Sequence, residues 1–155
     1  MITIHEGDLL SSQCDVICHQ TNCVGLMGSG IAKAIRAEYP EAYDALSKRY
    51  DSHRGAATLG ECDFVPVVRD NNIKYVVNCY GQYSCYPRNQ VHTNYAALQN
   101  CFDLIKEKFA GTGYIIGFPY KIGCGLAGGD WDIVYSMIEK NFAGDEWRIE
   151  IWRLT

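Results

Sequence analysis

Short apolar runs alternate with longer stretches of helical periodicity along the whole chain. Residues 2–5 alternate between apolar and polar side chains, as an edge strand does. Asp15–Gln20 is short and mostly apolar, which predicts a buried strand. Two β-rich runs, Cys62–Val68 and Ile73–Cys79, flank the polar residues 69–72 and together predict a hairpin.

Four stretches have the apolar spacing of helices. The first, Ile31–Tyr39, ends at Pro40, and this proline suits the first turn of a second helix that reaches about Tyr50. The third and fourth helices are predicted over His92–Phe109 and Asp130–Phe142. A glycine follows the fourth helix closely, which is typical of a helix end.

The predicted strands and helices interleave. Two further strands, Gly113–Phe118 and Trp147–Leu154, complete the pattern. Such interleaving predicts an α/β sheet covered by helices on both faces, to which the hairpin adds antiparallel pairing. Because the chain has no repeat, low-complexity segment or linker-like stretch, we expect residues 1–155 to form a single domain.

Two glycine-rich loops stand where a predicted strand meets a predicted helix. The first includes Gly28–Gly30 and precedes the Ile31 helix, and the second is Gly123–Gly129 before the Asp130 helix. Glycine lets backbone N–H groups approach a ligand closely, and a helix N-terminus carries partial positive charge. Either loop alone could be a tight turn, but two at equivalent junctions favour a site for an anionic ligand at the carboxyl ends of the strands.

Composition and charge exclude several classes of protein. With 48% hydrophobic and 21% charged residues the chain is globular, and its net charge of −4, without a Lys/Arg cluster, argues against general nucleic-acid binding. No apolar run approaches a membrane span and no signal-peptide pattern begins the chain, so we expect no membrane partner and a cytoplasmic location. The eight cysteines contain no Cys-x-x-Cys pair, and we expect reduced, mostly buried thiols.

Several familiar motifs are missing from the sequence. The first loop lacks the third glycine of the dinucleotide fingerprint, and no Gly-Lys-Ser/Thr phosphate loop occurs. Met27 stands where a nucleophile elbow at Ser29 would need glycine. No zinc-protease motif or other metal-ligand pattern is present, so the sequence predicts neither a metal nor a cofactor.

Three segments, taken together, resemble the macrodomain family. Residues 7–10, Gly-Asp-Leu-Leu, resemble the first-strand signature, in which the acidic residue contacts adenine. Residues 20–32 resemble the first ligand loop, and residues 122–131 the second. The resemblance covers essentially the whole chain in matching order. It implies a three-layer α/β/α sandwich with a mixed sheet that binds ADP-ribose across its top.

The branch resembled contains terminal ADP-ribose glycohydrolases, antitoxins that remove ADP-ribose from DNA, and ADP-ribose-1''-phosphate phosphatases. The glycohydrolases and antitoxins carry a lysine where this chain has Gly81 or Gln82, and the glycohydrolase aspartate of the second loop corresponds to Ala127. Neither an amide nor a methyl group can act as nucleophile or general base. These departures argue against a lysine-based glycohydrolase mechanism.

The phosphatase pattern implies two catalytic candidates. His19 matches a histidine on the strand that enters the first loop, and we expect it at a strand end facing the site, as nucleophile or general base. Asp130 is the nearest acid of the second loop, although Asp132 remains an alternative. A buried histidine bonded within the core, and a carboxylate that caps a helix, are the competing structural explanations.

The resemblance also implies the ligand-binding residues. Asn22 would bond a ribose hydroxyl, or else form a turn, and Asp8 would hold the adenine amine, or else form an Asx turn. Tyr80, Tyr83 and Tyr86 would wall the distal ribose. The other expected ligand-binding residues are Leu9, Thr21, Gly28, Ser29, Gly30, Ile31, Gln82, Ile122, Gly123, Cys124, Gly125, Leu126 and Ala127.

The sequence therefore favours a hydrolase that binds ADP-ribose and converts ADP-ribose-1''-phosphate to ADP-ribose and phosphate. Two alternatives stay open. One is a non-catalytic ADP-ribose reader, and the other is a hydrolase of ADP-ribosyl groups or of O-acetyl-ADP-ribose.

Overall fold

A computed structural model describes residues 1–53 and 58–154 of the chain, with the backbone alone at His53. These residues form six strands and four α-helices. In chain order the elements are β1 (Ile2–Glu6), β2 (Val16–Gln20), α1 (Gly30–Glu38), α2 (Pro40–His53), β3 (Cys62–Pro66), β4 (Tyr75–Cys79), α3 (Tyr95–Phe109), β5 (Ile115–Pro119), α4 (Trp131–Asn141) and β6 (Arg148–Arg153).

The six strands form one mixed sheet in the order β1-β6-β5-β2-β4-β3. Every neighbouring pair is parallel except β3 and β4, which are antiparallel, as the predicted hairpin requires. Because the first five strands in that order are parallel, their carboxyl ends meet at one edge of the sheet. The predicted edge position of residues 2–5 is confirmed, since β1 is an outer strand.

Two apolar clusters cover the two faces of the sheet. On one face α3 and α4 pack through Phe102 and Ile138 against Phe118 of β5. On the other face α1 and α2 pack through Ile35 and Leu46 against the sheet. The predicted three-layer α/β/α sandwich is confirmed, and its driving force is the burial of apolar surface on both faces.

Side chains along β2 alternate between these two clusters. Val16 and Cys18 belong to the α3/α4 cluster, and Ile17 belongs to the α1/α2 cluster. This period of two places His19 on the same face as Ile17 and Gln20 on the face of α3 and α4. The successive polar residues His19 and Gln20 therefore lie on opposite faces of the sheet.

Two helices start slightly later than predicted. The side chain of Asn94 accepts a hydrogen bond from Ala97 N, so α3 begins at Tyr95 and not at His92. The N–H of His92 instead donates to Ala127 O in the second glycine-rich loop. Asp130 caps α4, which begins at Trp131. In both cases a side chain that satisfies an orphan N–H sets the boundary.

All eight cysteines are free thiols, and six of them are buried. This agrees with the expectation of reduced, mostly buried thiols. In the described ranges no helix is both long and apolar enough to cross a membrane.

Candidate ligand-binding cleft

A cleft of about 890 Å³ runs along the edge of the sheet where the parallel strands end. Its lining residues include Asp8 after β1, Leu154 after β6, Lys121 after β5, Asn22 after β2 and Gln82 after β4. Strand order therefore gives the cleft a direction, from Asp8 at one end to Gln82 at the other. The β1 and β4 ends are separated by four inter-strand steps of about 4.8 Å, so the cleft is about 19 Å long between them.

The first glycine-rich loop is shaped by Asn22. Its Oδ1 accepts hydrogen bonds from Val24 N at 3.1 Å and Leu26 N at 3.2 Å, while its Nδ2 donates to Leu26 O at 2.9 Å. The Asn22 side chain lines the cleft, but these three bonds are the turn-forming role that was the alternative to ribose binding. The ribose contact remains a prediction, for which one Nδ2 hydrogen is unused.

The N-terminus of α1 opens directly onto the cleft. Gly28, Ser29 and Gly30 all line the cleft, and Gly30 has a φ of +55°. Ser29 occupies the N-cap position without a side-chain hydrogen bond, and the first turn contains no acidic residue. The first N–H groups of α1 therefore lack the side-chain partners that Asn94 and Asp130 give to α3 and α4. This helix end has the electrostatics of an anion site.

The second glycine-rich loop closes on its own backbone. Gly123, with a φ of +73°, accepts a hydrogen bond from Gly129 N at 2.9 Å, and Gly128 N donates to Gly125 O at 3.0 Å. A Cβ at Gly129 would lie 2.5 Å from Gly123 O, whereas a Cβ at Gly125 would meet nothing within 4 Å. Gly125 therefore presents bare backbone to the cleft.

Three polar side chains, Gln20, Gln82 and Thr93, connect the two loops across the floor of the cleft; we call them the amide relay. Gln20 Nε2 donates to Gln82 Oε1 at 2.9 Å and to Thr93 Oγ1 at 3.0 Å. Thr93 Oγ1 in turn donates to Gly123 O at 2.5 Å. The relay holds the second loop against the end of β2.

The relay also explains the residues at the position where the family resemblance implies a lysine in the glycohydrolases. A Cβ at Gly81 would lie 2.4 Å from Gln20 Oε1, so this position has no room for a side chain. Gln82 is buried, and its Nε2 donates to Ser84 O at 2.9 Å. Gln82 is therefore the cleft-lining residue at this place, and it supplies a neutral amide. Sequence reasoning missed Gln20 and Thr93, although a polar residue ending an apolar strand was a usable signal for Gln20.

Most of the predicted ligand-binding residues line the cleft, but four predicted site residues, besides Tyr80 and Tyr83, do not. His19, Thr21, Cys124 and Asp130 lie outside its lining. Thr21 is buried, and Cys124 directs its thiol to Ile122 O at 3.3 Å. The predicted residues that do line the cleft are Asp8, Leu9, Asn22, Gly28, Ser29, Gly30, Ile31, Gln82, Ile122, Gly123, Gly125, Leu126 and Ala127.

The expectation that His19 faces the site is wrong. Its side chain is fully buried, and its Nε2 lies 2.7 Å from Asn78 Oδ1. Asn78 Nδ2 donates to Ala42 O and Asp63 Oδ2, so its Oδ1 must accept and His19 Nε2 must carry the proton. The other ring nitrogen, Nδ1, is buried without a partner. Burial lowers the pKa of His19 to about 4, which keeps the ring neutral near pH 7.

Asp130 has the helix-capping role that competed with catalysis. Its Oδ1 accepts a hydrogen bond from Asp132 N at 2.9 Å, and its own N–H donates to Tyr95 Oη. The alternative acid, Asp132, is exposed in the first turn of α4 and also lies outside the cleft lining. The second-loop region thus brings no carboxylate into the cleft.

Asp8 forms the Asx turn that was the alternative to adenine binding, and it also lines the cleft. Its Oδ1 accepts from Leu10 N at 3.0 Å, which leaves Oδ2 for a ligand. Of the three tyrosines expected at the distal ribose, only Tyr86 lines the cleft. Tyr80 is buried and donates to Asp63 Oδ2 at 2.5 Å.

The cleft is more basic than the protein as a whole. Arg36, Arg88 and Lys121 line it, and Asp8 is the one acidic residue among its lining residues in the described ranges. Sequence reasoning missed these three cations because they come from separate parts of the chain. Among the described residues no group of His, Cys, Asp or Glu is placed to hold a metal ion.

Comparison with known proteins identifies the family. The model of the Macro domain family matches residues 18–138. A DNA ADP-ribosyl glycohydrolase of Mycobacterium tuberculosis is 36% identical over 78 residues, which are 50% of this chain and 22% of that protein. This chain thus spans well under two thirds of that relative's length.

Solved structures show the same fold. A protein of unknown function from Bacteroides thetaiotaomicron superposes with a TM-score of 0.84 at 27% identity, over 99% of this chain and 98% of that one. Thermosipho africanus DarTG in complex with ADP-ribose superposes with a TM-score of 0.77 at 18% identity, over 98% of this chain and 41% of that one. From the family match together with the fold, the chain belongs to the macrodomain family.

Proposed function

We propose that this chain binds ADP-ribose in the cleft. The observation that carries the proposal is the pair of bare backbone surfaces at the middle of the cleft. They are the uncapped N-terminus of α1 at Gly28–Gly30 and the open backbone at Gly125. Two such surfaces suit a diphosphate, whose oxygens accept hydrogen bonds from N–H groups and gain from the helix dipole.

The order of the strands orients the ligand. Asp8 at the β1 end has a carboxylate oxygen left for an adenine amine, as the family resemblance implies. The diphosphate lies between the two glycine-rich loops, and the distal ribose lies beside Gln82 at the β4 end. The cationic excess in the cleft lining favours an anionic ligand in this otherwise acidic protein.

Similar proteins support the same ligand. The DarTG structure contains ADP-ribose, and the mycobacterial relative is a DNA ADP-ribosyl glycohydrolase. This chain differs from a lysine-dependent hydrolase at the end of the cleft beside Gln82, where the distal ribose is proposed to lie. The cleft residues that follow or end β2 and β4 include the amides of Gln20, Asn22 and Gln82, and in the described part of the chain these two strand ends bring no lysine or carboxylate into the cleft.

A second candidate function is hydrolysis of ADP-ribose-1''-phosphate to ADP-ribose and phosphate. The absence of a carboxylate or lysine from the β4 end of the described cleft favours this reaction over glycosidic cleavage, because phosphoryl transfer depends mainly on positioning and charge stabilisation. In this reaction the oxygen of a water molecule attacks phosphorus and the phosphorus–ribose oxygen bond breaks. A proton from that water ends on the ribose hydroxyl. Water takes the attacking role because His19 is outside the cleft.

Calorimetric titration with ADP-ribose tests the binding proposal. A Gly28→Glu variant places a carboxylate at the α1 N-terminus, where a Cβ meets nothing within 4 Å, so we expect it to fold and to lose binding. Ala37→Glu adds the same charge to an exposed position of α1 outside the cleft lining and serves as the matched control. Unchanged affinity in Gly28→Glu, or no binding by the wild type, would overturn the proposal.

Incubation with ADP-ribose-1''-phosphate, followed by phosphate detection, tests the second candidate. Phosphate release by the wild type at a higher rate than by the Gly28→Glu variant supports hydrolysis. Binding of ADP-ribose without any phosphate release would instead identify a reader module, and the hydrolase assignment would fail.

A further inference from the structure

We propose that His5 is a positioning residue for Trp152, an aromatic side chain of the cleft lining, and that it holds Trp152 more firmly when its ring is protonated. Trp152 lies in β6 and lines the cleft, whereas His5 lies in the neighbouring edge strand β1 and is not part of the lining. The consequence for ligand affinity rests on the proposed ADP-ribose function. It adds a pH-dependent element near the β1 end of the cleft.

Four side chains of β1 and β6 form one group at the edge of the sheet, which we call the edge cluster. The two strands pair in register, with Thr3 beside Glu150 and His5 beside Trp152. Because the side chains of a strand alternate between two faces, these four lie on the same face. Trp152 packs against the apolar cluster of α1 and α2, which identifies the face.

The indole of Trp152 is held both over its ring and at its N–H edge. His5 stacks on the ring, with 4.8 Å between the ring centres and 12° between the ring planes. Trp152 Nε1 donates a hydrogen bond to Glu150 Oε1 at 2.9 Å. The backbone leaves space for the indole, because a Cβ at Gly7 would lie 3.0 Å from Trp152 Cζ3. The orientation in which Trp152 lines the cleft is therefore set by its neighbours in and beside β1 and β6.

A proton taken up from solvent by His5 adds two attractions to the edge cluster. His5 Nε2 lies 2.8 Å from Thr3 Oγ1 and 3.7 Å from Glu150 Oε2, so a charged ring forms an ion pair with the carboxylate that already anchors the indole. A cation stacked on an indole is also attracted by the negative face of the ring. Protonation therefore holds Trp152 from both sides more strongly.

Glu150 is the charged group that contacts the His5 ring among the described side chains. The same carboxylate accepts a hydrogen bond from the Cys14 thiol at 3.3 Å. Burial raises the pKa of Cys14 to about 12, so this thiol stays neutral throughout the range in which histidine titrates. A change in the edge cluster between neutral and mildly acidic pH therefore comes from the imidazole.

A firmly held Trp152 lowers the cost of binding a ligand. A side chain that is already fixed in the orientation that lines the cleft loses less entropy when the ligand arrives. ADP-ribose should therefore bind more tightly as the pH falls through about 6.5, the ordinary value for histidine. By linkage, binding of ADP-ribose draws a fraction of a proton onto the protein in the same range.

The first test needs no ligand. A protonated imidazole in contact with an indole quenches its fluorescence, so the tryptophan emission of the wild type should fall from about pH 8 to about pH 5.5. The chain has three tryptophans, and the component due to Trp152 should be absent from both His5→Gln and Trp152→Phe. Glu6→Gln is the matched control and should titrate like the wild type, because Glu6 is exposed on the opposite face of β1 and lies outside the cleft lining.

The second test is calorimetric titration with ADP-ribose at the same two pH values, between which its diphosphate does not change charge. The wild type and Glu6→Gln should bind about 3-fold more tightly at the lower pH, and His5→Gln should bind equally at both. Titrations at about pH 6.5 in two buffers of different ionisation enthalpy should show proton uptake by the wild type that His5→Gln lacks.

Glu150→Gln separates positioning from a simple charge effect. Glutamine keeps an acceptor for Trp152 Nε1 but removes the negative charge beside His5, so the pH dependence of affinity should shrink. A long-range attraction between protonated His5 and the anionic ligand would instead leave the pH dependence undiminished in this variant and would weaken as ionic strength rises. That result would overturn the positioning role.

The remaining outcomes distinguish this inference from the proposed function. If no emission change depends on both His5 and Trp152, the inference is wrong whether or not ADP-ribose binds. If that change occurs but ADP-ribose does not bind the wild type, the proposed function fails and the effect on affinity fails with it. If ADP-ribose binds the wild type equally at both pH values, or if His5→Gln keeps the pH dependence, the inference is wrong while the proposed function stands.

Discussion

The hydroxyl of Thr93 donates a 2.5 Å hydrogen bond to the carbonyl oxygen of Gly123 and accepts one of 3.0 Å from Gln20 Nε2. This one buried side chain therefore links the segment before α3 to the second glycine-rich loop and to the end of β2. Thr93 therefore helps to fix the shape of the cleft, although the surrounding sequence does not mark it as a site residue.

Replacing Thr93 by valine keeps the volume but removes both hydrogen bonds. We expect a loss of about 1–3 kcal/mol in the free energy of unfolding, because buried polar groups lose a partner. ADP-ribose affinity should fall about 5-fold as the second loop loosens. Urea unfolding and calorimetry measure the two effects.

Thr112→Val is the matched control for Thr93→Val. Thr112 Oγ1 donates to Phe109 O at 2.8 Å near the end of α3, outside the cleft. It should lose less than about 1 kcal/mol and should bind ADP-ribose like the wild type. Equal effects of the two substitutions on binding would contradict a positioning role for Thr93.

Two glycines of the second loop should respond differently to alanine. Gly123 has a φ of +73°, and its Cβ would lie 2.9 Å from Gln20 Oε1, so Gly123→Ala should destabilise the fold by about 1–3 kcal/mol. Gly125→Ala meets open space and should change stability by less than about 0.5 kcal/mol. Its methyl group enters the cleft, however, so ADP-ribose binding should weaken. Thermal unfolding measures the stability of both variants, and calorimetry measures their affinity for ADP-ribose. Equal stabilities of Gly123→Ala and Gly125→Ala would contradict the prediction.

Asp130 can be assigned to capping or to catalysis by two substitutions. Asp130→Ala should cost about 1 kcal/mol of stability, whereas Asp130→Asn retains a good cap and should cost little. Neither should alter the rate of phosphate release, because Asp130 lies outside the cleft lining. Loss of phosphate release in Asp130→Asn with ADP-ribose affinity intact would instead make the carboxylate catalytic.

His19→Gln should retain ADP-ribose binding and any phosphate release, since the imidazole is buried beside Asn78. Gln offers an amide N–H that can donate to Asn78 Oδ1. The variant should differ from the wild type chiefly in how its stability depends on pH. Abolished phosphate release in a folded His19→Gln variant would restore the catalytic hypothesis.

The direction of that pH effect follows from the lowered pKa of His19, which is about 4 in the folded state because of burial. Between that pKa and about 6.5, the value for an exposed histidine, the unfolded chain binds more protons than the folded one. The stability contribution is therefore complete above pH 6.5 and is lost as the pH falls towards 4. Between pH 7 and pH 5 the wild type should lose on the order of 2 kcal/mol more than His19→Gln, measured by urea unfolding.

The hydrophobic pattern was a good guide to the fold. Local periodicity predicted all six strands, all four helices and the β3–β4 hairpin, because burial of one face imposes a period of 2 on a strand and 3.6 on a helix. It did not predict that β6, at the end of the chain, would pair between β1 and β5. Its pairing with β1 joins residues 147 positions apart, such as Ile2 and Ile149, which no local window records.

The sequence predicted the backbone of the cleft, namely its two glycine-rich loops, better than it predicted the side chains that reach it. Glycines at two strand-to-helix junctions indicated an anion site, and most of the residues named in those loops line the cleft. His19 was misplaced because a strand sends successive side chains to opposite faces, and the sequence does not say which layer covers each face. Likewise, Gln20 and Arg88 were missed, and they line one cleft only because distant elements end at the same edge of the sheet. Local pattern thus specifies which elements form and which backbone can bind an anion, whereas packing of distant segments chooses the side chains that reach the ligand.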